Sequence, residues 1–362
     1  MIRIAFPERL NADKRRWRLK KLDKFHQLKL LYFIRQKYSF SRLVNFITYK
    51  REAHKKAVVN YLPPSVQIES STGCALQCPG CLIGTQNATG HPGKIQFTSL
   101  SLFKKEIDLI FKKCLQIYFH MHAEPLLNED FFEASKYASS KGLWTGIHTN
   151  LYPNIDELPE KILDAGLCNL VISIDGATQE TYEKYRIGGD VEMVFRKMQR
   201  IANLKKDRKS KYPWITAKFL VFEHNWHEIK LFKEKAIQHG ADEVLFITGF
   251  ANGTYKSGRP CTEYEFNLDT LCWKPFILPG KCPFIWEDLR IDTDGGLLPC
   301  GNGFSDNHKF FKYGHESDKT SMVTQFNAPD FVKMRNFFLD KSKPAVFPEP
   351  CGRCEIVNRF NV

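Results

Sequence analysis

A chain of 362 residues is long enough for two or three domains at roughly 150 residues each. With 43% hydrophobic, 26% charged and 13% aromatic residues it can bury a sizeable core, which excludes disorder as its main state. The charge is lopsided: residues 1–60 carry 17 Lys and Arg against 4 Asp and Glu, whereas the other 302 residues carry 36 of each sign. The basic character therefore belongs to an extension rather than to the body.

The longest apolar run of the early chain, Leu30 to Ile34, is far short of the roughly 20 residues that cross a bilayer. The opening MIRIAFPERLNADKRRWRLK lacks an apolar stretch followed by small residues, so an intracellular, cytoplasmic protein is expected. In that setting the 11 cysteines point to metal or redox chemistry rather than to disulfides.

From Lys14 to Tyr49 basic residues interleave with Trp17, Leu22, Phe25, Leu28, Leu31, Phe33, Ile34 and Phe40, which predicts one or two amphipathic helices. Such helices could brace the body through their apolar stripe with their charges solvated, lie peripherally on a membrane surface, or contact nucleic acid. No nucleic-acid-binding motif accompanies the charge, so that partner ranks last. Tyr61-Leu-Pro-Pro64 reads as a linker.

Strands and helices then alternate. Strands are predicted at Val66–Ser71, Gln116–His122, Trp144–Thr149, Asn169–Asp175, Ile215–Phe222 and Glu243–Thr248. Helices are predicted at Leu100–Lys113, Phe131–Lys141, Asp156–Ala165, Met193–Leu204 and Trp226–Gln238. Six strands with crossover helices give a parallel α/β layout, too short for a closed eight-stranded barrel. Beyond Gly249 the alternation stops; Leu289–Ile291 and Leu297–Leu298 suggest a hairpin inside a small metal-held module.

Cys74, Cys78 and Cys81 form C-x3-C-x2-C directly after the first predicted strand. Structural zinc closes with four ligands and so would need a distant fourth donor, whereas three thiolates on an iron–sulfur cubane leave one iron open to an exogenous chelator. This motif at the end of the first strand of a partial α/β barrel resembles the radical S-adenosylmethionine (SAM) superfamily. The resemblance implies a partial (β/α)6 TIM barrel in which the three cysteines hold a 4Fe-4S cluster and SAM chelates its fourth iron. An electron from the cluster then splits SAM to methionine and a 5'-deoxyadenosyl radical that takes a hydrogen atom from substrate.

Further segments match in order. His122-Ala-Glu-Pro125 resembles the family's Gly-Gly-Glu-Pro, placing Ala123, Glu124 and Pro125 at the SAM amino group, with His122 and Ala123 replacing the two glycines. Taken alone, a Glu-Pro pair is a helix-start signal. Thr149-Asn150 resembles the family's Thr-Asn pair. Ser173-Ile-Asp-Gly176, with Glu180, Tyr182 and Arg186 after it, resembles the segment at SAM's ribose and carboxylate. Asp175 could equally cap a turn, Arg186 could sit in a solvent pair, and Asn225, also at a family position, could cap a helix.

Cys282-x12-Gly295-x4-Cys300 followed by Cys351-x2-Cys354 supplies four more thiols, a set that suits zinc or a fully ligated cluster. The pattern resembles the start of the SPASM extension and, with no cysteine after Cys354, its shortened twitch variant with one auxiliary 4Fe-4S cluster. The implied domains are 1–61 (basic helical extension), 62–250 (radical SAM partial barrel) and 251–362 (SPASM/twitch).

Of the remaining cysteines, Cys114 and Cys168 are expected in the core, and Cys261 or Cys272 could donate a hydrogen atom in a redox-neutral reaction. One auxiliary cluster favours electron removal, and thus a two-electron oxidation of a small polar metabolite such as a sugar, aminocyclitol or nucleotide derivative. An external reductant such as flavodoxin or ferredoxin is implied. Peptide modification and epimerisation are rivals within the superfamily; a nucleic-acid-binding iron–sulfur protein is the reading from another class.

Overall fold

The computed structural model describes residues 2–3, 29, 31–33, 35–90, 93–248, 282, 284–298 and 320–340. Among these the strands are β1 (Ile2–Arg3), β2 (Ser65–Ile68), β3 (Gln116–Tyr118), β4 (Trp144–Thr149), β5 (Asn169–Ser173), β6 (Trp214–Val221), β7 (Glu243–Thr248), β8 (Asp288–Ile291) and β9 (Leu297–Leu298). The α-helices are α1 (Ser39–Glu52), α2 (Leu82–Ala88), α3 (Leu100–Ile110), α4 (Asp130–Ser140), α5 (Leu158–Asp164), α6 (Gln179–Glu183), α7 (Val191–Asp207), α8 (Ile229–Gln238), α9 (Phe284–Glu287), α10 (Met322–Gln325) and α11 (Pro329–Leu339). All six strands read from the sequence are present, as β2 to β7. The described residues fall into two compact units: those up to 36 with 74–93 and 146–248, and those of 37–73, 94–145 and 282–340.

In the first unit the strands run β1-β7-β6-β5-β4, every pair parallel. Parallel neighbours require crossover helices, and those helices cover a face that must be apolar. Strand β6 shows how: Ile215, Ala217, Phe219 and Val221 are buried at alternate positions. The Phe219 ring sits 4.7 Å from Phe232 of α8 and 5.8 Å from Phe246 of β7. Helix α7 adds Val194, Phe195, Met198 and Ile201 at helical spacing. It starts two residues before the predicted Met193 because the Asp190 carboxylate caps it, accepting the Met193 N–H at 2.9 Å.

In the second unit the order is β3-β2-β8-β9. The expected hairpin is present, with β8 and β9 antiparallel through Arg290↔Leu298 and Ile291↔Leu297. Strand β8 also lies parallel to β2 in the register Ser65↔Asp288 to Ile68↔Ile291, so residues distant in sequence share one sheet. Phe119 anchors this unit's core, 5.5 Å from Phe103 of α3 and 5.6 Å from Phe131 of α4.

Three expectations are corrected. Tyr61 to Pro63 are buried rather than forming an exposed linker: the Tyr61 hydroxyl donates to the Trp286 carbonyl at 3.0 Å, and the Asn45 side chain pairs with both backbone groups of Leu62. Strands β2, β3 and β5 stop two to four residues before their predicted ends, at Ile68, Tyr118 and Ser173, where the chain leaves the ladder to build the loops described next. Along α1, the described helix of the extension, an apolar stripe also fails to turn inward: Arg42 and Asn45 are buried while Phe40, Leu43, Val44 and Ile47 are exposed. Trp17, Leu22, Phe25, Leu28 and Ile34 lie outside the described residues.

Candidate active site

The cysteine loop is fastened mainly through its own backbone. Asn87 of α2 donates its side-chain amide to the carbonyls of Cys74 (2.7 Å) and Leu76 (3.0 Å), and Gln77 N–H reaches the Ile187 carbonyl at 3.1 Å. Gly84 allows α2 to lie against Cys78: a Cβ there would stand 2.4 Å from the Cys78 carbonyl oxygen. Leu76 and Cys78 pack in a buried cluster with Tyr185 and Phe222, and Cys74, Cys81, Tyr152 and Leu220 border it.

All three are reduced cysteines outside any disulfide, and they share this wall. Two sulfurs have a polar hydrogen aimed at them: Asn150 donates to Cys74 Sγ at 3.3 Å, and Arg186 Nη1 to Cys78 Sγ at 3.7 Å. Burial pushes the Cys78 thiol up and the Arg186 charge pulls it back. Among the described residues no group of three or more His, Cys, Asp or Glu side chains is gathered tightly enough to hold a metal ion. The donor chemistry nevertheless suits a thiolate-bound centre: three cysteines in one loop, with N–H donors that stabilise sulfur in its anionic form.

Asp175 organises the neighbouring strand ends. It is fully buried with φ +60°, in the left-handed region that a Cβ disfavours. Its Oδ2 accepts from Arg186 Nε at 2.6 Å and pairs with Nη2 at 2.5 Å, while Oδ1 accepts Leu220 N–H at 2.6 Å. Burial disfavours the Arg186 charge, but Asp175 first and Cys78 second keep it firmly protonated. The carboxylate thus orients the guanidinium toward the cysteine rather than capping a turn.

Asn225 is also fully buried. It donates to the Asp175 carbonyl at 3.0 Å and the Leu220 carbonyl at 2.8 Å, so its side chain locks this corner and does not cap the helix. Ser173 is buried at the end of β5, in register with Lys218 of β6. Burial pulls the Lys218 ammonium down to about 8, a shift that Asp175 opposes and Arg186 reinforces.

Within the second unit, Glu69 holds the start of the His122–Pro125 loop. Its Oε1 accepts Met121 N–H at 3.0 Å and its Oε2 accepts His122 N–H at 2.8 Å. Glu124 N–H donates to the Gly73 carbonyl at 2.9 Å. Its Oε1 accepts Leu126 N–H at 3.1 Å, capping the short 3-10 turn Pro125–Leu127. The helix-start role is thus present for Glu124; Ala123 is half-buried and Pro125 buried beside it.

Of the second cysteine set only Cys282 is described, and it is buried; Cys300, Cys351 and Cys354 lie outside the described residues, as do Cys261 and Cys272. Cys114 and Cys168 are buried as expected. Sequence reading passed over Asn87, Glu69 and Lys218. Lys218 carried a visible signal, a lone lysine inside the apolar strand WITAKFLV. Asn87 and Glu69 carried none, because their work is done on backbone groups brought near by folding.

Residues 68–236 match the model of the radical SAM superfamily. They take in the three cysteines, the His122–Pro125 loop and the Asp175–Arg186 pair. The chain thus contains a radical SAM domain, matched over just under half of its length. Such a domain implies a SAM-binding 4Fe-4S cluster, a substrate and a source of electrons. The chain is 26% identical over 323 residues to a PqqA peptide cyclase of Bradyrhizobium diazoefficiens, covering 81% of this chain and 79% of that one. It is 29% identical over 206 residues to an AdoMet-dependent heme synthase of Methanosarcina barkeri, a match spanning only 56% of either chain. In fold it is similar to Streptococcus suis SuiB bound to S-adenosylmethionine, with a TM-score of 0.59, 13% identity, and coverage of 87% of this chain and 76% of that one. The fold class is therefore the parallel α/β arrangement of radical SAM enzymes.

Proposed function

We propose that this radical SAM enzyme performs a two-electron oxidation at a carbon–hydrogen bond of its substrate. The observation that carries the reading is the cysteine loop with Arg186 directed at Cys78 and Asn150 at Cys74. Cys74, Cys78 and Cys81 would hold the cluster that, once reduced by a flavodoxin- or ferredoxin-like donor, splits SAM to methionine and a 5'-deoxyadenosyl radical. Arg186, fixed by Asp175, offers a planar cation to the SAM carboxylate. Ser173, Asn150 and the Ala123-Glu124-Pro125 backbone are the polar groups assigned to the rest of SAM. Cys282, Cys300, Cys351 and Cys354 would bind an auxiliary 4Fe-4S cluster, the acceptor for the electron that the substrate loses along with a proton. Cys261 and Cys272 are hydrogen donors only if the reaction is redox-neutral.

Two substrate classes are supported. A peptide side chain is favoured by the relative matched over about four-fifths of this chain, which is a peptide cyclase. A small polar metabolite such as a sugar, aminocyclitol or nucleotide derivative is favoured by Lys218, a cation in an otherwise apolar strand whose charge senses Asp175 and Arg186. The test is anaerobic reconstitution with iron counting and an assay for 5'-deoxyadenosine, run with peptide and metabolite panels. About eight irons per chain are expected, about four after Cys78→Ala, with 5'-deoxyadenosine formation abolished in that variant. Cleavage of SAM that survives Cys78→Ala would overturn the reading; about four irons with bound zinc in the unsubstituted protein would remove the auxiliary cluster.

A further inference from the structure

Helix α1 is amphipathic the wrong way round for a brace. Three of its polar residues point inward and are consumed there. Arg42 donates to the carbonyls of Phe111, Lys141 and Gly142, Asn45 to those of Leu62 and Lys113, and buried Glu52 accepts from Lys56 and the Asn60 N–H. The solvent side carries Phe40, Leu43, Val44 and Ile47, exposed by 77%, 53%, 48% and 57%. Their spacing is that of one helical stripe. A soluble surface rarely leaves such a contiguous apolar stripe uncovered.

Cations rim the stripe. Lys37, Lys50 and Arg51 are exposed on the helix or just before it, and Lys55 and Lys56 follow beside Val58, itself 57% exposed. Lys50 Nζ lies 5.4 Å from the centre of the Phe46 ring and 5.2 Å from that of Tyr49, its aliphatic stem available to cover apolar surface. Between residues 35 and 60 the sole acid is Glu52, which is buried and already paired.

We propose that α1 is an interfacial helix that seats Phe40, Leu43, Val44 and Ile47 in the headgroup boundary of an anionic membrane, with Lys37, Lys50 and Arg51 on the lipid phosphates. The chemistry matches on both counts: an apolar stripe for the acyl boundary, and a rim of one sign for a surface of the other. A second copy of the chain fits this face worse. Pairing α1 with itself would bring like cations together with no acid on the exposed face, and four side chains fall far short of the roughly 800 Å² per partner of a stable interface. A nucleic acid would use the cations and leave the stripe in water.

The test is co-sedimentation of the full-length protein, purified anaerobically, with vesicles of phosphatidylcholine alone or with about one-third phosphatidylglycerol. Binding is expected on the anionic vesicles, weakening as salt rises from about 0.1 M to 0.5 M. The double variant Phe40→Ser/Ile47→Ser is expected to bind at least about tenfold more weakly with an unchanged melting temperature, because both side chains are already in solvent. Failure of the unsubstituted protein to sediment overturns the proposal, as does unchanged binding by the double variant. A dimer in light scattering that the double variant dissociates would assign the face to a second copy instead. SAM cleavage is not read in any arm, so the membrane result stands or falls apart from the enzymatic reading.

Discussion

Arg186 and Arg42 are both buried guanidiniums, and their partners differ in kind. Arg42 spends its donors on three backbone carbonyls, and Arg335 likewise on those of Ile285, Ala57 and Phe326. Neutral partners satisfy hydrogen bonds without cancelling charge, and burial pulls Arg335 down to about 10. Arg186 instead faces a full carboxylate and a thiol, and its charge is reinforced. The first kind of arginine staples chain segments together. The second keeps a fixed positive charge beside sulfur, which is the difference between holding a fold and preparing a site.

Breaking the charged pair should have the larger effect. Arg186→Gln leaves the Asp175 carboxylate buried without its cation, a loss on the order of 3–5 kcal/mol that a denaturant midpoint would register. Adding Asp175→Asn should recover part of that stability without restoring SAM cleavage; recovery of both would mean that the guanidinium serves packing alone. Arg42→Met should cost about 2–3 kcal/mol by stranding carbonyls, yet leave iron content per chain unchanged, and a drop in iron content would contradict the division drawn here.

Lys218→Met sharpens the contrast with the smallest change and the opposite sign. Lys218 titrates at about 8 in the fold against an ordinary 10.5, so below pH 8 the folded chain bears the whole penalty of burying the charge. Between about 8 and 10.5 the unfolded chain binds a proton that the folded chain lacks, and stability rises with pH. The full shift corresponds to about 3 kcal/mol; because the Lys218 side chain is only half-buried, the methionine variant of the cluster-free protein should be more stable by about 1–2 kcal/mol at pH 7, a gain that fades toward pH 10. Urea midpoints at the two pH values would check it.

The parts of this molecule legible in sequence are those written in local pattern. The apolar alternation of Ile215 to Val221 announced a covered strand, and C-x3-C-x2-C announced a three-thiol loop. Strand ends were read too long because Glu69 and Asp175 continue a strand-like composition while their carboxylates gather N–H groups from other segments. The inward turn of Arg42 was hidden for a different reason. Hydrophobic periodicity locates a stripe but does not say which side is buried, and at α1 the carbonyls left over by Phe111, Lys141 and Gly142 made the polar side the better fit. Glu69 and Lys218 are single residues whose roles exist only after distant strands and loops meet.

The near-touch of Gly84 and Cys78 constrains anyone who would re-engineer this loop. With a Cβ at residue 84 only 2.4 Å from a backbone oxygen, the second thiol and the helix that follows the third are geometrically one part. Lengthening or shortening the gap between cysteines to accept another inorganic guest would drag that helix along. Loop spacing and the bare helical position would have to be redesigned together, as a single cassette.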